Sequence, residues 1–102
     1  MPSRGKIVLN LVKFIEKSYN EESQSLYWST VTKVEKPSIQ VTNGIEYQIT
    51  VVMESTGCLK EDLKNCKTLS VDEMKVETCH YYIKEQLPDF KLHIIDKACE
   101  QM

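Results

Sequence analysis

The sequence predicts an α+β fold, in which one amphipathic helix near the N terminus packs across an antiparallel sheet. The first observation behind this prediction is a run of apolar residues that recur with the period of a helix. The second is that most of the remaining chain alternates apolar and polar residues, as half-buried strands do. Because 102 residues have room for one hydrophobic core, we expect a single domain over residues 1–102.

The helix is predicted over residues 7–19. Its apolar side chains form one broad stripe, with lysine, asparagine and glutamate on the opposite side, and Leu9 is the exception. Residues 20–25 are polar and break the period, so we expect them to form the exit from the helix. Glu21 and Glu22 in this exit are interpreted as solvated charges.

The first hairpin follows from strand-forming residues and a turn signal. Residues 26–36 are rich in Tyr, Trp, Thr and Val, and we expect this strand to stop at Pro37, which cannot donate a ladder hydrogen bond. After a short extended run, Asn43-Gly44 predicts a type I′ turn, in which both central residues have positive φ. Residues 45–54 then alternate cleanly and predict a strand with one face buried.

The second half of the chain predicts one loop and a second hairpin. Residues 55–72 are mainly polar and predict a surface loop. Two further strands are predicted over residues 74–84 and 90–97, with Leu87-Pro88-Asp89 as the turn between them.

The four cysteines, Cys58, Cys66, Cys79 and Cys99, favour disulfides over free thiols and indicate an oxidising compartment. Four cysteines allow three pairings. The sequential one would close two modest loops, each worth about 3 kcal/mol if unstrained. A zinc site is disfavoured because no two cysteines have the C-x-x-C spacing.

Composition and charge argue against several classes of partner. The formal net charge of -2 gives no reason to expect nucleic acid or an anionic membrane surface. No apolar run approaches the length that spans a bilayer. Because Met1 is not followed by an apolar leader, we interpret the chain as a mature form.

No motif predicts catalysis or a cofactor. Cys79 and His80 are adjacent in a predicted strand, so their side chains point to opposite faces and cannot form a nucleophile–base pair. His93 alternates with apolar neighbours and is expected to face solvent. The sequence has neither a glycine-rich phosphate loop nor an H-E-x-x-H metal motif. We therefore expect no enzymatic activity, no cofactor and no metal ion.

From about Ile7 to Cys99, the chain resembles the secreted (type 2) cystatins. The residues that carry the resemblance are Phe14, Tyr19-Asn20, Gln40-Val41-Thr42-Asn43-Gly44, the segment 46–51 and the four cysteines. The resemblance implies a helix across a sheet of four to five strands, with disulfides Cys58–Cys66 and Cys79–Cys99. It also implies a wedge that reversibly occludes the cleft of papain-like cysteine proteases.

The resemblance implies two contact loops, which differ from the family pattern. The first comprises Gln40, Val41, Thr42, Asn43 and Gly44, and the second comprises Leu87, Pro88 and Asp89. Thr42 stands where the family has a valine, and burying its hydroxyl unpaired would cost about 1–3 kcal/mol. Asp89 stands where the family has a tryptophan, and Phe90 is the nearest aromatic residue. Gly5 is too close to Phe14 to match the family's N-terminal glycine. These differences imply weak or lost inhibition.

The altered loops also resemble the reproductive-tract branch of the family, the cystatin-related epididymal and spermatogenic proteins. This similarity implies an alternative function, in which a non-inhibitory extracellular protein acts through amyloid-like self-assembly or protein interaction. Residues 44–53 are rich in strand-forming residues and carry one charge, Glu46, with no lysine or proline among them. The composition of this segment is also typical of a central strand in a folded domain that does not self-assemble.

Overall fold

The helix α1 (Arg4–Glu22) lies against one face of a four-stranded antiparallel sheet. This computed structural model describes residues 4–101, so the interpretation of residues 1–3 as the start of a mature chain lies outside the described residues. The strands pair in chain order and are β1 (Tyr27–Val41), β2 (Ile45–Leu59), β3 (Val76–Gln86) and β4 (Lys91–Gln101). The predicted α+β fold with two disulfides is confirmed.

The hydrophobic core lies between α1 and the inner face of the sheet. On α1, the side chains of Leu11, Ile15 and Tyr19 are one turn apart and all are buried, whereas Leu9 is exposed. Successive side chains of a strand point to opposite faces, so every second residue along the middle of the two central strands is buried. These inward-facing residues are Tyr47, Ile49, Val51 and Met53 on β2, and Cys79, Tyr81 and Ile83 on β3.

The prediction that the first strand stops at Pro37 is wrong, because β1 continues to Val41. The register shifts between Glu35 and Ser38, and Lys36 adopts a φ of 48°. Since β1 is an edge strand, a proline that cannot donate is tolerated at this irregularity.

The predicted loop over residues 55–72 begins too early, because β2 continues to Leu59. Gly57 permits this continuation, since its φ is 80° and a Cβ there would lie 2.2 Å from the Lys67 carbonyl oxygen. The predicted starts and ends of β3 and β4 are also shifted by one to four residues.

Each disulfide links chain segments that are already neighbours. Cys58 and Cys66 are bridge partners and have an S–S distance of 2.03 Å. Cys79 and Cys99 are partners in the β3–β4 ladder and have an S–S distance of 2.13 Å. The first disulfide therefore holds the loop after β2, and the second links two strands beside the core.

Two polar residues of α1 bind the open edge of β1. Asn20 is 4% exposed, and its Nδ2 donates to the Ser29 carbonyl oxygen at 2.8 Å while its Oδ1 accepts from the Ser29 N–H at 2.7 Å. One turn earlier, Glu16 Oε1 accepts from the Val31 N–H at 2.8 Å. The Thr30 hydroxyl donates to the same oxygen. These side chains satisfy backbone groups that a further strand would otherwise pair.

The prediction that residues 20–25 are a polar exit is therefore wrong for residues 20–22. The helix continues to Glu22, and Asn20 is a buried structural residue. Glu22, expected as a solvated charge, accepts a hydrogen bond from Lys97 Nζ at 2.6 Å, which ties the end of α1 to β4.

A second contact ties the end of α1 to β3. The Tyr19 hydroxyl donates to Glu77 Oε1, and Lys75 Nζ lies 3.2 Å from the same oxygen. Burial alone would raise the pKa of Glu77, but the Tyr19 hydrogen bond and the Lys75 charge outweigh it. The pKa of Glu77 is therefore lower than its ordinary value of 4.5.

We predict that Asn20→Ala lowers the free energy of unfolding by about 2–3 kcal/mol, because it leaves the buried N–H and C=O of Ser29 unpaired. Urea denaturation measures this change as a lower midpoint at an unchanged slope. The control is Gln24→Ala at an exposed position, which should shift stability by less than about 0.5 kcal/mol. Equal midpoints for the two variants would contradict the role assigned to Asn20.

We also predict acid sensitivity from the contact between Tyr19 and Glu77. A carboxylate whose pKa is lowered by folding stabilises the fold above its unfolded pKa, and this stabilisation is lost as the pH falls through the folded pKa. Urea midpoints should therefore fall as the pH is lowered below 4.5, the ordinary pKa of this group. Glu77→Gln should flatten this dependence, whereas Glu61→Gln, in an exposed loop position, should leave it unchanged. Parallel pH profiles for wild type and Glu77→Gln would refute the assignment.

Candidate functional site

The two predicted contact loops lie side by side at one end of the sheet. Ile45 at the start of β2 pairs with Glu85 near the end of β3, so the β1–β2 loop and the β3–β4 turn project from the same end. We call this end the loop edge and define it as residues 40–44 and 87–90. Binding residues are often found on such loops, held by a rigid scaffold.

The first loop has three residues, Thr42, Asn43 and Gly44, between the paired residues Val41 and Ile45. The Thr42 N–H donates to the Gly44 carbonyl oxygen at 2.9 Å. The prediction of a type I′ turn is wrong, because neither Asn43 nor Gly44 is among the described residues with positive φ.

The glycine is required here for a different reason. A Cβ at position 44 would lie 2.6 Å from the Glu85 carbonyl oxygen, which is closer than real Cβ contacts. Gly44 thus lets the first loop approach the backbone of β3, and it is the buried member of a loop whose other residues are exposed.

Three apolar side chains of the loop edge are exposed to solvent. The exposed fraction is 77% for Val41, 46% for Leu87 and 64% for Phe90. Phe90 was predicted as the first residue of a strand, but it lies in the turn with a φ of 56°, which is unusual for a bulky residue. Sequence patterning gave no signal for this conformation, because Phe90 fits the alternation of the strand that follows.

The other predicted contact residues are also placed on this edge. Gln40 is exposed near the end of β1, Thr42 and Asn43 are exposed in the first loop, and Pro88 and Asp89 are exposed in the β3–β4 turn. The peptide bond between Leu87 and Pro88 is cis.

The Glu46 carboxylate, at the start of β2, interacts with two hydroxyl groups. The Glu46 carboxylate accepts a hydrogen bond from the Tyr82 hydroxyl and interacts with the Thr42 hydroxyl, and these two groups hold the pKa of Glu46 below its ordinary value.

The histidines and cysteines do not form a catalytic arrangement in the described part of the chain. Cys79 is buried in its disulfide, whereas His80 is exposed on the opposite face, with Nδ1 2.8 Å from the Thr50 hydroxyl. His93 is exposed, as predicted. Among residues 4–101, the side chains close enough to share a metal ion are Glu77, Cys79 and Cys99, and both sulfurs are already in a disulfide. Over the same residues, no helix is both long and apolar enough to cross a bilayer.

Comparison of the sequence with known proteins assigns the chain to a family. A model of the cystatin domain matches residues 2–87, so the chain belongs to the cystatin family. Cystatin-11 of Rattus norvegicus is 30% identical over 94 residues, which cover 90% of this chain and 66% of that protein. Cystatin-8 of Mus musculus is 28% identical over 98 residues, which cover 93% of this chain and 69% of that protein. These relatives confirm the predicted branch, the reproductive-tract type 2 cystatins.

Two further comparisons concern length and fold. The chain spans 66%, 55% and 64% of the lengths of the cystatin-11 proteins of Rattus norvegicus, Mus musculus and Homo sapiens. Among solved structures, that of dimeric human cystatin F is similar, with a TM-score of 0.79. The match covers 100% of this chain and 84% of the cystatin F chain. Its sequence identity is 13%, so this match supports the fold alone.

We predict that Gly44→Ala lowers the free energy of unfolding by about 1–3 kcal/mol, because the added methyl group forces the first loop away from β3. Asn43→Ala is the matched control and should have little effect, since its φ is not positive. Urea midpoints measure both changes. Comparable losses from both variants would instead indicate a type I′ turn, in which both positions need positive φ.

Proposed function

We propose that the protein is a secreted, reversible inhibitor of papain-like cysteine proteases that acts by occlusion and has no catalytic activity. The observation that carries the proposal is the position of both loops at one end of the sheet, where they form one continuous edge. Membership of the cystatin family supports a role as a cysteine protease inhibitor. We further propose that residues 1–102 form one cystatin domain, and the two disulfides support an extracellular location.

The apolar residues of the loop edge are suited to enter a protease cleft. Burying one exposed side chain such as Val41, Leu87 or Phe90 yields about 1.5–3 kcal/mol, and aromatic anchors often dominate an interface. Phe90 is the aromatic residue that this loop edge presents, two positions after Pro88. We therefore assign to Phe90 the anchoring role that the family pattern gives to a tryptophan at position 89.

The scaffold keeps the loop edge in one conformation before a protease binds. Gly44 packs against the backbone of β3, and the Tyr82 hydroxyl links β3 to Glu46 at the start of β2. A preorganised edge loses less conformational entropy on binding, which favours a tighter complex.

Two residues weaken the proposed contact. Asp89 must lose hydration in the cleft, and a buried carboxylate is costly unless it is paired. Thr42 presents a hydroxyl where the family has a methyl group. Together they predict an affinity below that of cystatins with valine and tryptophan at these positions.

Self-assembly is the second candidate function, and the observation that favours it is the open edge of β4. This strand has 11 residues, ends the sheet and carries no proline. The β-rich segment 44–53, in contrast, lies mainly in β2 and pairs with β1 and β3 on its two sides. Assembly through that segment would first require the strands to separate, whereas β4 is available in the folded protein.

We predict that the oxidised protein inhibits papain reversibly in a steady-state titration. Phe90→Ala should weaken inhibition about tenfold or more, because it removes the aromatic anchor. Combining Thr42→Val with Asp89→Trp should strengthen inhibition by at least about tenfold. The control is Val71→Ala, which changes an exposed apolar residue in the loop that joins the other ends of β2 and β3.

Two results would overturn the inhibitor proposal. They are no inhibition at high micromolar protein and no gain from the double substitution. If the same samples form thioflavin-positive aggregates, the result favours self-assembly. If Val71→Ala weakens inhibition as much as Phe90→Ala, the contact does not involve the loop edge.

A further inference from the structure

A cavity of about 340 Å³ lies between the N-terminal half of α1 and the sheet, beside the loop edge. Its apolar walls include Ile7 and Leu11 of α1, Ile45 of β2 and Leu92 of β4. Ile7, Ile45 and Leu92 are only partly buried, because the helix does not close over the sheet here as it does around Ile15. The core is therefore closed around Ile15 and open under the N-terminal half of α1.

The size and the lining of this cavity are typical of a small-molecule site. Ligand pockets usually have volumes of about 300–1,000 Å³ and mostly apolar walls with a few polar groups. The other surface depressions of the described residues have more polar linings, so the apolar lining distinguishes this cavity. Apolar walls also hold water poorly, which favours an apolar occupant.

One charged group faces this apolar space. The Glu85 carboxylate lines the cavity, and its Oε1 accepts a hydrogen bond from the Tyr47 hydroxyl at 2.6 Å. Tyr47 is buried, and burial together with the Glu85 carboxylate raises the pKa of Tyr47, so this hydroxyl remains a proton donor. The carboxylate is therefore held in a fixed position on the cavity wall.

An aromatic ring lies on the same cavity. Phe90 lines it from the β3–β4 turn, where its φ is 56°. A carboxylate and an aromatic ring on one cavity form the chemical environment that attracts an ammonium group, by charge pairing and by the cation–π interaction. The remaining apolar walls would then bury a hydrocarbon chain.

We propose that this cavity binds a primary amine with an apolar tail, with the ammonium group at Glu85 and the tail between α1 and the sheet. Charge selects the amine, because a carboxylate ligand of the same length would be repelled by Glu85. The cavity adjoins the loop edge but includes residues beyond it. The proposal therefore does not depend on protease inhibition.

The test compares three ligands with the same eight-carbon chain: n-octylamine and n-octanoate below their micelle concentrations, and n-octanol below its solubility limit. Amide chemical shifts in ¹H–¹⁵N spectra give the affinity and the location of binding. We expect n-octylamine to bind with a dissociation constant on the order of 1 mM or below, at least about fivefold tighter than n-octanol. The shifts should centre on Leu11, Tyr47 and Leu92.

Two variants separate the roles of charge and shape. Glu85→Gln should remove the preference for the amine over the alcohol while leaving alcohol binding largely intact. Leu92→Trp should fill the cavity and weaken all three ligands, whereas Ile95→Trp, at an exposed position on the same strand, should not. Urea midpoints verify that each variant remains folded.

The proposal is overturned if the three ligands bind equally or if their shifts are scattered over the surface. It is also overturned if Leu92→Trp binds the amine as wild type does. Because these titrations contain no protease, their failure leaves the inhibitor proposal unaffected, and failure to inhibit papain leaves the cavity proposal unaffected.

Discussion

The antiparallel register of β2 with β3 is the constraint on which both the core and the loop edge depend. Pairing of Ile45 with Glu85 places the two loops at one end of the sheet, and pairing of Val51 with Cys79 aligns the buried residues of the two strands. A slip of one residue would turn every inward-facing side chain of β2 outward. Burial of the core therefore fixes the geometry of an exposed edge that contributes little to the core itself.

Hydrogen bonds from tyrosine hydroxyls to glutamates supplement this register. Tyr19 and Glu77 join α1 to β3, and Tyr47 and Glu85 join β2 to β3 beside the cavity. Each pair lets a large aromatic ring enter the core while its hydroxyl keeps a partner. Tyr81 is the exception: its buried hydroxyl has no hydrogen-bond partner among residues 4–101, and burial raises its pKa to about 12, with Glu22 contributing.

Periodicity predicted the helix stripe and the alternation of β2, because both follow directly from which residues face the core. Periodicity did not predict contacts in which a residue meets the backbone of a different element. Asn20 appeared to be part of a polar exit, yet its amide binds Ser29 on the edge of β1. The sequence predicts that Gly44 is needed for a type I′ turn, yet it is needed because the Glu85 backbone of β3 lies close to it. Neither contact has a local signature, since each depends on how the finished layers lie together.

The sequence predicts the position of the two hairpin loops but not the conformation of their side chains, and the reason is energetic. Thr42 and Asp89 are exposed, so replacing the residues typical of the family at these positions removes no core contact. Phe90 is exposed as well, and its unusual backbone conformation is set by the turn that precedes β4. Selection on folding therefore acts weakly on the side chains of the loop edge, while the register of β2 with β3 preserves its shape. A cystatin fold can thus persist while the side chains of its loop edge change.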